Sequence, residues 1–119
     1  MATQSDFSEF SGNDIDLKVV VIDEATNEPL NLTGAQALVW ALGKRAKASL
    51  ALVTKTLENA GVEITNALEG MVTVHLAAAD TEALKAGDYY HEMRLVNVAG
   101  KRATLMYGTA TIQENLIRN

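Results

Sequence analysis

Residues 77–97 read AAADTEALKAGDYYHEMRLVN, and the order of events within them is that of a corner between two layers. Ala77 to Ala86 reads as one short helical turn, which Asp80 can cap and under which Leu84 can pack. Gly87 ends the turn, and Asp88 to Asn97 then reads as a strong strand. Tyr89 stands two residues past the glycine. Asp80, Gly87 and Tyr89 therefore define a structural corner, with Tyr89 the candidate to hydrogen-bond back to the preceding loop and tie two sheets together. His91 follows at an inward position, where leucine-rich neighbours are expected to cover it.

The chain on either side is strand-like. Ile15 to Ile22 is β-branched, with apolar odd positions and even positions that turn from charged to apolar halfway along. One face is expected to be buried at its start and both at its end. Asp23 to Pro29 reads as a turn, and Pro29, lacking an amide donor, suits an edge or a loop. Leu30 to Thr33 alternates briefly and stops at Gly34. Gln36 to Leu42 puts Leu38, Trp40 and Leu42 on one face; its good helix formers offer a rival helical reading, but bracketing turn signals favour strand. Leu50 to Leu57, Val62 to Thr65 and Gly70 to Leu76 follow, the last with Val72, Val74 and Leu76 inward. A turn around Gly100 leads into a final strand, Ala103 to Gln113. Short strands separated by turns point to an all-β antiparallel sandwich, and the tyrosine corner narrows it to an immunoglobulin-like one of about seven or eight strands.

The 119 residues suit one domain and include no cysteine, which excludes a disulfide scaffold, a thiol nucleophile and thiolate metal sites. Ten basic against fifteen acidic residues give a net charge of −5, unfavourable for specific nucleic-acid binding. No apolar run approaches the roughly 20 residues of a membrane span, and no signal peptide is expected from the polar opening residues. Residues 1–13 read as an N-terminal arm, 14–113 as the sandwich and 114–119 as a C-terminal tail. Phe7 and Phe10 both lie in the arm, and such rings want cover. Either the arm folds back onto its own sandwich or it inserts into a neighbouring subunit. Leu116 and Ile117 pose the same question in the tail.

Little chemistry is legible. His75 and His91 lie inside strands, without the ligand cluster a zinc site requires, and read as structural. Ser5, Ser8, Ser11 and Ser49 lie in the arm or a loop, none in a nucleophile elbow, and no phosphate-cradling glycine motif is present. Asp14 and Asp16 could begin a calcium loop, but the Asp-Gly continuation is missing. Asp23, Glu24 and Glu28 read as a solvated hairpin tip. Tyr90, Glu92 and Arg94 form either a polar stripe at a subunit contact or the wet face of a sheet. Lys44, Arg45 and Lys47 are a basic loop, suited to solvent or to an acidic neighbour. No catalytic, cofactor-binding or metal site is expected.

Several of these stretches together resemble a family of small bacteriophage and prophage proteins: Leu32-Thr33-Gly34, Val39-Trp40-Ala41-Leu42, Leu-Val-Thr-Lys-Thr-Leu at 52–57, and the alternating Gly70 to Leu76. The strongest match is Ala79-Asp80-Thr81, Leu84, Gly87, Tyr89-Tyr90-His91-Glu92 and Arg94, continued by Gly100 and Thr111-Ile112. The chain is also similar to the immunoglobulin-like amino-terminal domain of phage upper-baseplate proteins, over about residues 12–113. The resemblance implies a virion structural protein without catalysis or cofactor, made in the host bacterial cytoplasm: a tail, neck, baseplate or adaptor component. Its partners would be other virion proteins and further copies of itself in a ring or lattice, with no specific nucleic acid and no membrane. Phe7, Phe10, Lys44, Arg45, Lys47, Leu116 and Ile117 are the candidate partner contacts. A capsid decoration protein and a carbohydrate-binding sandwich are the alternatives.

Overall fold

The computed structural model describes residues 3–23, 26–45 and 51–114. Among them run β1 (Thr3–Gln4), β2 (Phe7–Phe10), β3 (Ile15–Val20), β4 (Ile22–Asp23), β5 (Glu28–Pro29) and β6 (Ala37–Gly43). They are followed by β7 (Val53–Thr56), β8 (Val62–Asn66), β9 (Met71–Leu76), α1 (Ala78–Glu82), β10 (Gly87–Val96) and β11 (Arg102–Gln113). The larger sheet has the order β1-β11-β10-β6-β7, with β2 also on β11; the smaller has the order β3-β9-β8. The strand bearing the corner tyrosine lies between the last strand and the strand bearing the tryptophan, and the facing sheet is built from an early strand and the two before the corner. The fold is an immunoglobulin-like sandwich.

Period-two alternation builds the core. Ile15, Leu17 and Val19 of β3 pair with Leu76, Val74 and Val72 across the antiparallel β3–β9 ladder, and the buried Val21 follows just past β3. Leu38, Trp40 and Leu42 face them from β6 and are buried, as are Met93 and Leu95 on β10 and Met106 and Ala110 on β11. The strand reading of residues 36–42 therefore holds over its helical rival. These apolar side chains are the driving force of the fold, at about 25 cal/mol for each Å² removed from water.

Some expectations are corrected. Val20 is 51% exposed, so the end of β3 is covered on one face only; its cross-strand neighbour Met71 is exposed too. The helical turn is shorter than 77–86; Asp80 caps it from the third helical position, its carboxylate reaching back to accept the Ala77 amide at 2.7 Å. The arm is largely sheet: β1 and β2 run parallel to β11, with Thr3 opposite Met106 and Phe7 opposite Ala110. A short stretch with apolar residues on one side can bury them by adding to an edge that already exists.

The corner is densely tied. The Tyr89 hydroxyl donates to the Lys85 carbonyl at 2.6 Å, while Gly87 opens β10 opposite Ile112. Asp14 accepts the Ala78 amide at 2.7 Å, so two carboxylates satisfy free amides at the start of α1. The Lys55 ammonium lies 2.7 Å from Asp80, joining β7 to α1. Burial pushes the Asp80 carboxyl up, but Lys55 and the Ala77 amide outweigh it and hold the group below its ordinary value. Leu84 packs against the core, and the buried Thr81 accepts the Gly12 amide at 3.0 Å.

Tyr89→Phe removes the hydroxyl tie while keeping the ring. The expected cost is about 0.5–1.5 kcal/mol, the usual net worth of one hydrogen bond, read as a lower thermal midpoint with an unchanged circular dichroism spectrum. An unchanged midpoint would show that the tie carries no stability.

Candidate functional site

The polar centre of the molecule is the seam between the N-terminal strands and β11. After Gln4 pairs with Tyr107, the Ser5 amide donates to the Tyr107 carbonyl at 2.8 Å. At Ser5 the strand steps over the bare face of Gly108, and the Asp6 carboxylate takes the place of a backbone acceptor for the Thr109 amide at 2.8 Å. Pairing resumes from Phe7 opposite Ala110 to Phe10 opposite Gln113, and the Ser11 amide closes the seam on the Gln113 carbonyl at 2.9 Å.

Gly108 permits the step. A β-carbon there would overlap the Ser5 carbonyl and crowd the Asp6 carboxylate at 2.6 Å. Across the ladder Gly108 is paired with His91, so the missing side chain opens a path from Ser5 to the imidazole. The His91 Nε2 lies 2.6 Å from the Ser5 carbonyl oxygen, and its Nδ1 lies 3.1 Å from the Trp40 Nε1. The indole can only donate, so Nδ1 accepts and Nε2 carries the proton that goes to Ser5. The ring is fully buried, with Phe7 edge-on at a centroid distance of 4.9 Å. The buried Leu42 pairs with His91 across the ladder, and two aromatic rings and a backbone carbonyl complete its surroundings. Burial holds the imidazole pKa below its ordinary value, against the opposing pull of Ser5 and Asp6. No buried side-chain nitrogen or oxygen among the described residues lacks a partner.

His75 is the opposite case. It stands half-exposed on the outer face of the smaller sheet, Nδ1 2.9 Å from Asp16 and Nε2 3.0 Å from Glu63. Both neighbours accept, so the doubly protonated ring suits the site, and the bonds to Asp16 and then Glu63 raise its pKa against some desolvation. Among the described residues no group of three or more histidines and carboxylates is arranged to hold a metal ion.

The other candidate residues are dispersed. Phe7 is half-buried against the core and His91, so it is spent within its own chain, whereas Phe10 is 47% exposed. Lys44 and Arg45 are exposed just past β6. Lys47, Leu116 and Ile117 lie outside the described residues. Tyr90, Glu92 and Arg94 share the outer face of the larger sheet with Tyr107, which pairs with Glu92. Desolvation, then the Glu92 charge and Tyr107, raise the Tyr90 pKa. Ser5, Asp6 and Gly108 were not singled out by sequence reasoning. A lone glycine within the final strand is the one signal for them, because such a glycine often marks a close backbone approach.

One end of the sandwich gathers exposed apolar side chains. The Leu32 amide donates to Ala67 at 2.8 Å, the Gln36 amide to Val96 at 2.9 Å and the Gln36 side chain to Val98 at 3.0 Å. Those bonds lace together the connections after β5, β8 and β10. Leu68 and Val98 project from them, 68% and 71% exposed, and Val20 and Met71 lie at the adjoining end of the smaller sheet.

No family model matches the chain, and no curated protein does. Among solved structures the chain is similar to murine CRIg, with 10% identity and a TM-score of 0.45 over 92% of each chain. The strand order and the corner carry the fold assignment.

The two histidines should act on stability in opposite directions. His91, whose folded pKa lies below the ordinary 6.5, contributes stability above that value that is lost as pH falls through the folded pKa. His75, raised above 6.5, contributes stability below that value that is lost as pH rises through its folded pKa. Thermal midpoints measured from about pH 4.5 to 8.5 should therefore lose part of their acid-side slope in His91→Gln and part of their alkaline-side slope in His75→Gln. Identical slopes in both variants and the parent would contradict the assignment. Separately, Gly108→Ala must push Ser5 off its seat. It should cost about 1–3 kcal/mol and shift the emission of Trp40, the single tryptophan, as the His91 bond is lost. An unshifted spectrum at full stability would mean that the seam is loose.

Proposed function

We propose that the protein is a non-enzymatic structural component of a bacteriophage particle, acting through protein–protein contacts in a symmetric assembly. The observation that carries this reading is the laced loop end with its exposed Leu68, Val98, Val20 and Met71. Apolar side chains gathered on a rigid backbone platform favour contact with another protein over solvent. The use of the interior polar groups agrees with it: His91, Trp40 and Thr81 are engaged in holding strands together, and no acid, base and nucleophile converge among the described residues. The resemblance of the corner motif to phage proteins supplies the particle. A capsid decoration role uses the same surfaces on a different substructure. Tyr107 beside Tyr90 on the open sheet face favours the carbohydrate-binding alternative, because exposed rings can stack on sugars.

The test is direct. Antibody against the protein is applied to purified particles released by the bacterium encoding it, and bound antibody is located by gold-label electron microscopy. Regular label at one substructure is expected, with Leu68→Asp/Val98→Asp copies left out of the particle. Absence of the protein from mature virions would overturn the reading, and binding on a glycan array would favour the sugar-binding alternative.

A further inference from the structure

The N-terminal segment does for β11 what a ligand strand does for an open sheet edge. It supplies ladder pairs on both sides of a step and, at the step, three fitted groups: the Ser5 carbonyl for His91, the Asp6 carboxylate for Thr109 and the Phe7 ring against the imidazole edge. Another copy of the same segment carries the same groups. The seam is also the parallel kind of ladder, the less stable per residue, and is interrupted between β1 and β2. Beyond Ser11 the chain turns through Gly12, whose φ of +78° suits glycine and whose surroundings are open. The Gly12 amide ties that hinge to the Thr81 hydroxyl.

We propose that the β11 edge is a strand-acceptor site for the N-terminal segment of a second copy, closed in each chain by its own Ser5–Phe10 and opened when His91 takes up a proton from solvent. The proton has one place to go. Nε2 already carries hydrogen toward Ser5, so protonation falls on Nδ1, which then faces the Trp40 N–H donor to donor. Few charges compensate. Asp6 lies on the segment itself, with Glu9 two residues beyond Phe7; β6 presents Trp40 and β11 presents Gly108. On β10 itself, Glu92 lies on the other face, and the facing sheet offers the apolar Ile15, Val19, Val72, Val74 and Leu76. A buried imidazolium with one carboxylate near it and a donor against it is relieved by moving the segment that covers it. Reciprocal exchange then pairs two chains through one repeated surface, and the seam is remade. The proposal stands whether or not the protein belongs to a virion.

The test uses the full chain and a dye-labelled peptide copying residues 2–13. At about pH 5 the peptide should enter at least about tenfold faster than at about pH 7.5, read as a rise in fluorescence anisotropy. His91→Gln keeps one acceptor and one donor but has no proton to take, so it should show the slow rate at both pH values. As a check that needs no His91 variant, Ser8→Cys/Thr111→Cys places cysteines at paired positions in an otherwise cysteine-free chain. After acid incubation, return to neutral pH and oxidation, it should yield interchain disulfide dimers. Hydrogen exchange on the parent chain should show residues 7–10 and 110–113 losing protection at acid pH ahead of β6. Equal peptide entry at the two pH values, or monomeric products together with uniform protection, would overturn the proposal.

Discussion

The N-terminal side of the larger sheet depends on one neutral imidazole. His91 accepts from Trp40 and donates to Ser5, so it joins β6, β10 and the N-terminal segment in a single line through the core. Each bond is worth about 1 kcal/mol net, yet leaving either partner unmade inside the sandwich would cost about 1–3 kcal/mol. That asymmetry makes the line a requirement of the fold. It also fixes the tautomer, which fixes where a proton can be accepted. Gly108, Phe7 and the step at Ser5 and Asp6 all serve the same line: the glycine clears its path, the ring covers it, and the carboxylate satisfies the amide that the step leaves behind.

This arrangement differs in direction from a disulfide between sheets. In disulfide-bearing immunoglobulin domains a covalent bridge packed against the tryptophan spans the two layers. Here the side chain beside Trp40 reaches sideways within its own sheet. Cohesion between layers falls instead to apolar packing and to the corner, where Asp14, Lys55, Thr81 and Tyr89 converge on α1 and its following loop. Because Thr81 holds Gly12, the corner also governs the point at which the N-terminal segment leaves the sheet. A short helix of five residues has little intrinsic stability, so its persistence rests on those ties.

Local signals made most of the sandwich legible. Alternation at Leu38, Trp40 and Leu42 and at Val72, Val74 and Leu76 is the direct trace of a buried face, and the spacing of Gly87 and Tyr89 marks the corner. What was not legible depends on distant partners. Residues 3–10 are mostly polar and too short to announce themselves as strands, and their pairing lies some hundred positions away on β11. Val20 looked covered because apolarity alone does not say whether a neighbour exists on that side. His91 was placed inward correctly, but its partners, a carbonyl and an indole from other elements, leave no pattern around it in the chain.

The sheet edges bear on how such a molecule meets others. The outer strands β7 and β8 carry Thr54, Lys55, Glu63, Thr65 and Asn66, and the β3 edge carries Asp16 and Lys18. Charged and polar residues on edges discourage indiscriminate strand pairing. The β11 edge carries no charged residue from Ala103 to Gln113, and it is the edge that the N-terminal segment covers. Exposed apolar groups are concentrated instead at the laced loop end, where the backbone is already paired and cannot add a strand. The two contacts proposed for the chain are thus of different kinds: side-chain packing at the loop end, and strand addition at a single edge behind a buried histidine.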